Sequence, residues 1–295
     1  MKYTYPLLLI LTLLLAACTI DEHLKNVVKV DDPILSENEN DFIGMVTTFF
    51  PLNEGESTLI RFPNGKKLLI DTGSAQDASD LIELLQERKV TKLDYVIITN
   101  DLPNHAGGYQ TLANSLQIDT VMIPEAISRS IRHVVPIGQA KKLVLLREGD
   151  ELAFDHEITI KVLNPSEPLF LSPQDHSLVF LLRQNKIKYL FTSGIGEKSE
   201  ERLLERHPKL LRAEILKVAN QGSNQASSQV FLSKVDAQVA VIESGILENG
   251  FKGTQSEIME RLSESWAETY VTGQHGTITI LSNGKDYKVL KRKKE

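Results

Sequence analysis

Residues 95–108 read YVIITNDLPNHAGG. The unbroken apolar run Val96, Ile97 and Ile98 predicts a buried strand, Thr99 opens a turn, and Gly107 and Gly108 stand just before a helical pattern reaching about Leu116. Upstream, Leu81, Ile82, Leu84 and Leu85 give residues 76–88 one apolar helical face. Further upstream, STLIRF (57–62) and KKLLIDTGS (66–74) flank the Pro63-Asn64-Gly65 turn signal, which predicts a hairpin. Downstream, TVMIP (120–124) is a strand closed by Pro124, and residues 141–194 are strand-rich, with turns at Gly149-Asp150, Asn164-Pro165 and Gln184-Asn185. From Ser199 helices and strands alternate again, and TITILS (277–282) and YKVLK (287–291) close the chain. Strand-helix alternation in two successive halves of similar plan implies a layered α/β protein, a sandwich of two sheets with helices outside.

With 295 residues and 41% hydrophobic content, the chain can bury a sizeable core. A net charge of -6 gives no electrostatic footprint for a phosphate backbone, so nucleic acid is a possible partner that charge does not support. The single cysteine, Cys18, ends the run PLLLILTLLLAAC, an apolar core too short for a stable bilayer span. This pattern resembles a bacterial lipoprotein signal peptide, which implies removal of residues 1–17 and lipidation at Cys18. The partition expected is then a signal at 1–17, a flexible polar tether at 18–41, a domain at 42–288 and a basic tail at 289–295. Without a second cysteine, an intramolecular disulfide and a thiolate metal cluster are excluded.

The frame of residues 95–108 resembles the signature of metallo-β-lactamase-fold hydrolases, Ser/Thr-His-x-His/Asp-x-Asp-His-x-Gly-Gly. Other motifs follow in order: Asn53-Glu54-Gly55-Glu56-Ser57 for Gly-Gln-Gly-Asp-Ala/Ser, and Asp71-Thr72-Gly73 for Asp-x-Gly. Then come Ser177-Leu178-Val179, and Leu190-Phe191-Thr192-Ser193-Gly194-Ile195 for Leu-Leu/Phe-Thr-Gly-Asp. Leu216-Lys217-Val218-Ala219-Asn220-Gln221-Gly222-Ser223 stands for Leu-Lys-Val-x-His-His-Gly-Ser, and Ser244-Gly245-Ile246-Leu247-Glu248-Asn249 for Ser-x-Gly-x-x-Asn. Together they are most similar to the extracellular hydrolase domain of ComEC-type DNA-uptake proteins. The resemblance implies a four-layer αββα sandwich.

It also implies where metal ligands belong, and this sequence departs from the pattern there. The family positions carry Asn100, Leu102, Asn104 and His105, then Ile195 for the bridging aspartate and Asn220 and Gln221 for the histidine pair. Amides are poor zinc donors, aliphatic side chains are none, and one imidazole falls short of the three protein ligands a catalytic zinc needs. The expectation is therefore a pseudoenzyme with no resident metal, a vestigial cleft at Asp71, Asn100, Leu102, Asn104, His105, Ile195, Asn220 and Gln221, and a role in binding an unidentified ligand or envelope protein. Those amides predict a neutral, hydrogen-bonding cleft. The alternative is a phosphodiesterase or nuclease using zinc or manganese in a reshaped site drawn from His105, Asp101, Asp71 or a neighbouring histidine. His133, His176, His207 and His275 are read as solvated or hydrogen-bonded side chains, and Gly107 and Gly108 as positions of close backbone packing.

Overall fold

Period-two alternation builds two faces onto nearly every central strand. In β3 (Lys67–Ile70) Leu68 and Ile70 point one way and Leu69 the other; in β12 (Val239–Ile242) Val239 and Val241 oppose Ala240 and Ile242. Strands apolar on both faces must be covered on both faces, and the computed structural model shows how. It describes residues 39, 41–136, 138, 140–245 and 255–292.

Two sheets stack face to face. The first runs β15-β14-β1-β2-β3-β4-β5-β6 and the second β13-β12-β11-β10-β9-β8-β7. In the first, β1 (Met45–Phe49), β2 (Thr58–Arg61), β14 (Thr277–Ser282) and β15 (Tyr287–Arg292) are antiparallel. β3, β4 (Lys92–Ile97), β5 (Gln117–Pro124) and β6 (Lys142–Leu146) are parallel. In the second, β7 (Glu151–Asp155), β8 (Ile158–Asn164) and β9 (Val179–Gln184) run antiparallel into β10 (Ile187–Phe191). The parallel set is β10, β11 (Ile215–Lys217), β12 and β13 (Glu268–Val271). Between the sheets lies one apolar layer that includes Phe49, Phe62, Phe180 and Phe191.

Helices complete the outer layers. Leu81 and Leu85 of α1 (Ala78–Glu87) are buried on the first sheet, together with Tyr109 and Leu112 of α3 (Tyr109–Ser115) and Ile131 of α4 (Ser128–Val134). Leu203 of α5 (Glu197–Arg206), Phe231, Leu232 and Val235 of α6 (Gln229–Val235), and Ile258 and Leu262 of α7 (Gln255–Glu264) cover the second. This is the expected αββα sandwich. All parallel strands of both sheets end on one side, which is where open α/β sheets place ligands.

Two boundaries differ from expectation. Val289–Arg292, assigned from sequence to a basic tail, continue β15, because its partly buried Tyr287 and Val289 pack on the inter-sheet core while the backbone pairs with β14. Packing also begins inside the expected tether, where the Glu39 carbonyl accepts a 2.9 Å bond from Arg61. The signal peptide and Cys18 lie outside the described residues. No helix among the described residues is long and apolar enough to cross a membrane.

Candidate functional site

The loops leaving β3, β4, β10, β11 and β12 meet over the carboxyl ends of the parallel strands. Asp71 follows β3 with a left-handed φ of 59°, a conformation aspartate tolerates better than most residues. Its carboxylate accepts from the Thr99 amide at 2.8 Å, the Thr99 hydroxyl at 2.7 Å and His105 Nδ1 at 2.7 Å. His105 sits on the short helix α2 (Pro103–Ala106), and its carbonyl accepts from the Thr72 amide at 2.7 Å and hydroxyl at 3.1 Å. Asp71 and His105 thus pin two loops together.

Gly107 and Gly108 do what close packing requires. A Cβ on Gly108 would stand 2.2 Å from the Thr72 carbonyl oxygen, and one on Gly107 2.5 Å from the Pro103 oxygen. Gly55 makes the same kind of approach to Gly73 and to the Asn104 carbonyl.

Beside this pair lies a group of charges that sequence reading did not single out. Glu56, 1% exposed, forms an ion pair with Lys217, and its other oxygen accepts from the Gln221 amide at 3.0 Å. The Lys217 ammonium is also 4.0 Å from Glu243, whose other oxygen accepts from the Thr58 hydroxyl at 3.1 Å. His105 Nδ1 is 3.6 Å from Glu56. Glu56, Asp71, His105, Lys217 and Glu243 are all buried. Burial pushes the Glu243 carboxyl up to about 8, Lys217 opposing and Glu56 reinforcing the rise. For His105, burial lowers the imidazole value, but the Asp71 and Glu56 carboxylates outweigh it and the net direction is upward. Glu56 and Lys217 fall inside quoted motifs, but nothing in the sequence says that they meet. Glu243 carried no signal beyond a carboxylate at the end of an apolar strand.

The positions expected to form one neutral cleft separate into three environments. Asn100 is buried; its Oδ1 accepts from the Leu102 amide and its Nδ2 donates to Ser177 Oγ, both at 2.9 Å. Asn100 Nδ2, Ser177 Oγ and His105 Nε2 converge on Gly194, where an added Cβ would stand 3.1 to 3.3 Å from each. Ile195 instead packs into the outer core between the second sheet and its helices. Asn220 and Gln221 are part-buried, with left-handed φ of 49° and 55°, and the Asn220 amide donates to the Ser193 carbonyl at 2.7 Å. Leu102 and Asn104 are also part-buried, and the Asn104 carbonyl accepts from the Glu56 amide at 3.0 Å. The neutral cleft is therefore corrected: amides occupy its flanks, while the interior is charged because Glu56, Lys217 and Glu243 fill it.

Glu56, Asp71 and His105 place one ligand-type atom each within 4.8 Å of one another. The imidazole nitrogen facing the carboxylates is Nδ1, bonded to Asp71; Nε2 is buried and has no hydrogen-bond partner among the described residues. His176 and His207 are engaged elsewhere, with the Phe170 carbonyl and Glu148 respectively.

A family model of the Metallo-beta-lactamase superfamily matches residues 52–213, more than half of the chain. The chain belongs to the metallo-β-lactamase superfamily. Within it, the chain is 22% identical over 264 residues to ComE operon protein 3 of Bacillus subtilis, covering 82% of this chain and 33% of that protein. To competence protein ComA of Neisseria gonorrhoeae it is 25% identical over 217 residues, covering 73% and 29%. It spans about a third of the length of these curated relatives. Among solved structures, the metallo-β-lactamase fold protein YhfI of Bacillus subtilis is similar with a TM-score of 0.53 at 14% identity, over 77% of this chain and 96% of that one. That likeness concerns fold alone.

Proposed function

We propose that this superfamily member is a lipid-anchored extracytoplasmic protein that has lost its catalytic metal site and acts by binding a ligand or an envelope partner. The observation that carries the proposal is the state of the donor atoms. Ile195 and Leu102 offer no lone pair, Ile195 lies in another core, and the oxygen of Asn100 is committed to the Leu102 backbone. Asp71 already accepts from Thr99 and His105, and Glu56 faces the Lys217 ammonium with one oxygen and accepts from the Gln221 amide with the other. A divalent ion at Glu56, Asp71 and His105 would have to displace a buried ammonium and break the Asp71–His105 bond. The residues present do not fit the family's ion. The anchor rests on the Leu-Ala-Ala-Cys18 pattern.

One observation favours the second reading, a metal-dependent hydrolase: the 4.8 Å convergence of Glu56, Asp71 and His105. Metal content of the purified full chain, with turnover of a phosphodiester in zinc or manganese, separates the two. The binding reading expects neither a stoichiometric ion nor chelator-sensitive turnover; finding both overturns it.

A further inference from the structure

The end of the sandwich opposite the charged site has its own character. β1 and β13 both run toward the site, so Ile43, two residues before β1, and Trp266, two residues before β13, lie at the far end. Ile43 is 88% exposed and Trp266, the sole tryptophan, 93%. Trp266 has a left-handed φ of 59°, costly for a bulky side chain, fixed by its amide bonding the Ser263 carbonyl at 3.0 Å and by Ala267 bonding Leu262 at 3.3 Å. The turn thus holds an indole out in water at a conformational cost.

Turns at this same end carry exposed lysines: Lys66 between β2 and β3, Lys89 between α1 and β4, Lys186 between β9 and β10, and Lys285 between β14 and β15. Lys186 and Lys285 are close, since the Lys186 amide donates to the Gly284 carbonyl at 2.9 Å. Acidic groups are present too: Asp41 stands two residues before Ile43, Glu264 and Glu268 flank Trp266, Asp286 is next to Lys285, and Asp155 and Glu157 sit at the β7–β8 turn. That last turn lies on the sheet edge farthest from β13. The chain also joins the fold here, at residues 41–44, so the expected lipid on Cys18 is connected through this end.

We infer that this end is a membrane-docking face: Trp266 and Ile43 enter the interface of an anionic bilayer while the lysines at the turns meet its headgroups, and the charged site points away from the membrane. Tryptophan favours the water–lipid boundary because it joins a large apolar body to one polar N–H. Separate apolar residues among turn lysines suit a headgroup layer better than a protein interface, whose centre is contiguous and depleted of lysine. The inference rests on the lipid anchor of the proposed function, and not on the fate of the metal.

The test uses the full chain, with lipidation at Cys18 checked by mass, beside a Cys18→Ser chain from which the apolar signal at residues 1–17 has been removed. Vesicles of equimolar phosphatidylglycerol and phosphatidylethanolamine are compared with pure phosphatidylcholine. Trp266 emission is the readout, because no other tryptophan contributes. On the anionic vesicles the emission moves to shorter wavelength and brominated acyl chains quench it. In the Lys89→Glu/Lys186→Glu/Lys285→Glu variant the affinity of the unlipidated chain for these vesicles falls by about fivefold or more per lysine. A lipidated, vesicle-bound chain whose Trp266 stays in water overturns the inference alone, as does emission that moves only with detergent-solubilised membrane protein. A chain without lipid at Cys18 overturns the anchor, and the inference then stands or falls on whether the Cys18→Ser chain shows the shift.

Discussion

The two halves of the sandwich contribute to the site in opposite ways. The first retains a supporting network: Asp71, Thr72 and Thr99 fix His105 through five hydrogen bonds of 2.7 to 3.1 Å. The second presents Ile195 turned into its helix-side core, Asn220 and Gln221 in left-handed backbone, and the buried Lys217 and Glu243. One half still orients an imidazole, and the other answers it with an ammonium and a carboxyl. The two sides are held differently: Asp71 bridges two loops, whereas Ile195 fills space in the outer core.

The largest test of this contrast is Ile195→Asp, which places the aspartate of the family motif in the second half. It is expected to cost about 5 kcal/mol or more, from an unpaired buried carboxylate plus lost packing, with no rescue by zinc. Zinc-dependent recovery in denaturant melts would show that the halves still cooperate around an ion. Lys217→Met comes next: it strands Glu56 and should cost about 3–5 kcal/mol, much of it recovered in Glu56→Gln/Lys217→Met. Additive losses in that cycle would break the pairing. In the first half, His105→Ala leaves Asp71 short of one donor and should cost about 1–3 kcal/mol, measured in the same way.

The pH response sharpens the comparison with the least disturbance. Glu243 is held at about 8 against an ordinary 4.5, so between those values the folded chain keeps a proton that the unfolded chain has released. Stability from this group is therefore full below about 4.5 and is lost as pH rises through about 8. Glu243→Gln should flatten the fall in melting temperature across that window relative to the parent chain. A parallel fall in both would assign it elsewhere, first to His105, whose raised value acts in the same direction.

Much of this was legible because it is periodic or glycine-bound. The apolar runs placed the central strands, and Gly107 and Gly108 announced the close backbone approach that their contacts require. Strand ends were less legible. β11 stops at Lys217 although the apolar run continues through Ala219, because Asn220 and Gln221 take the left-handed conformation that carries Gln221 to Glu56. The buried charges were least legible: Glu56, Lys217 and Glu243 lie on three separate segments, and only the crossing of two sheets brings them together. Ile195 shows a related limit, since a motif assigns a position along the chain without saying which core its side chain joins.

The pairing of β1 with β14 matches Met45 to Ser282 and Phe49 to Ile278. β1 is flanked on one side by β14, so this part of the first sheet stays unfinished until residues 277–282 have been synthesised. Such long-range closure slows assembly. A chain exported in threaded form would complete this fold only after its C-terminal strands had followed it across.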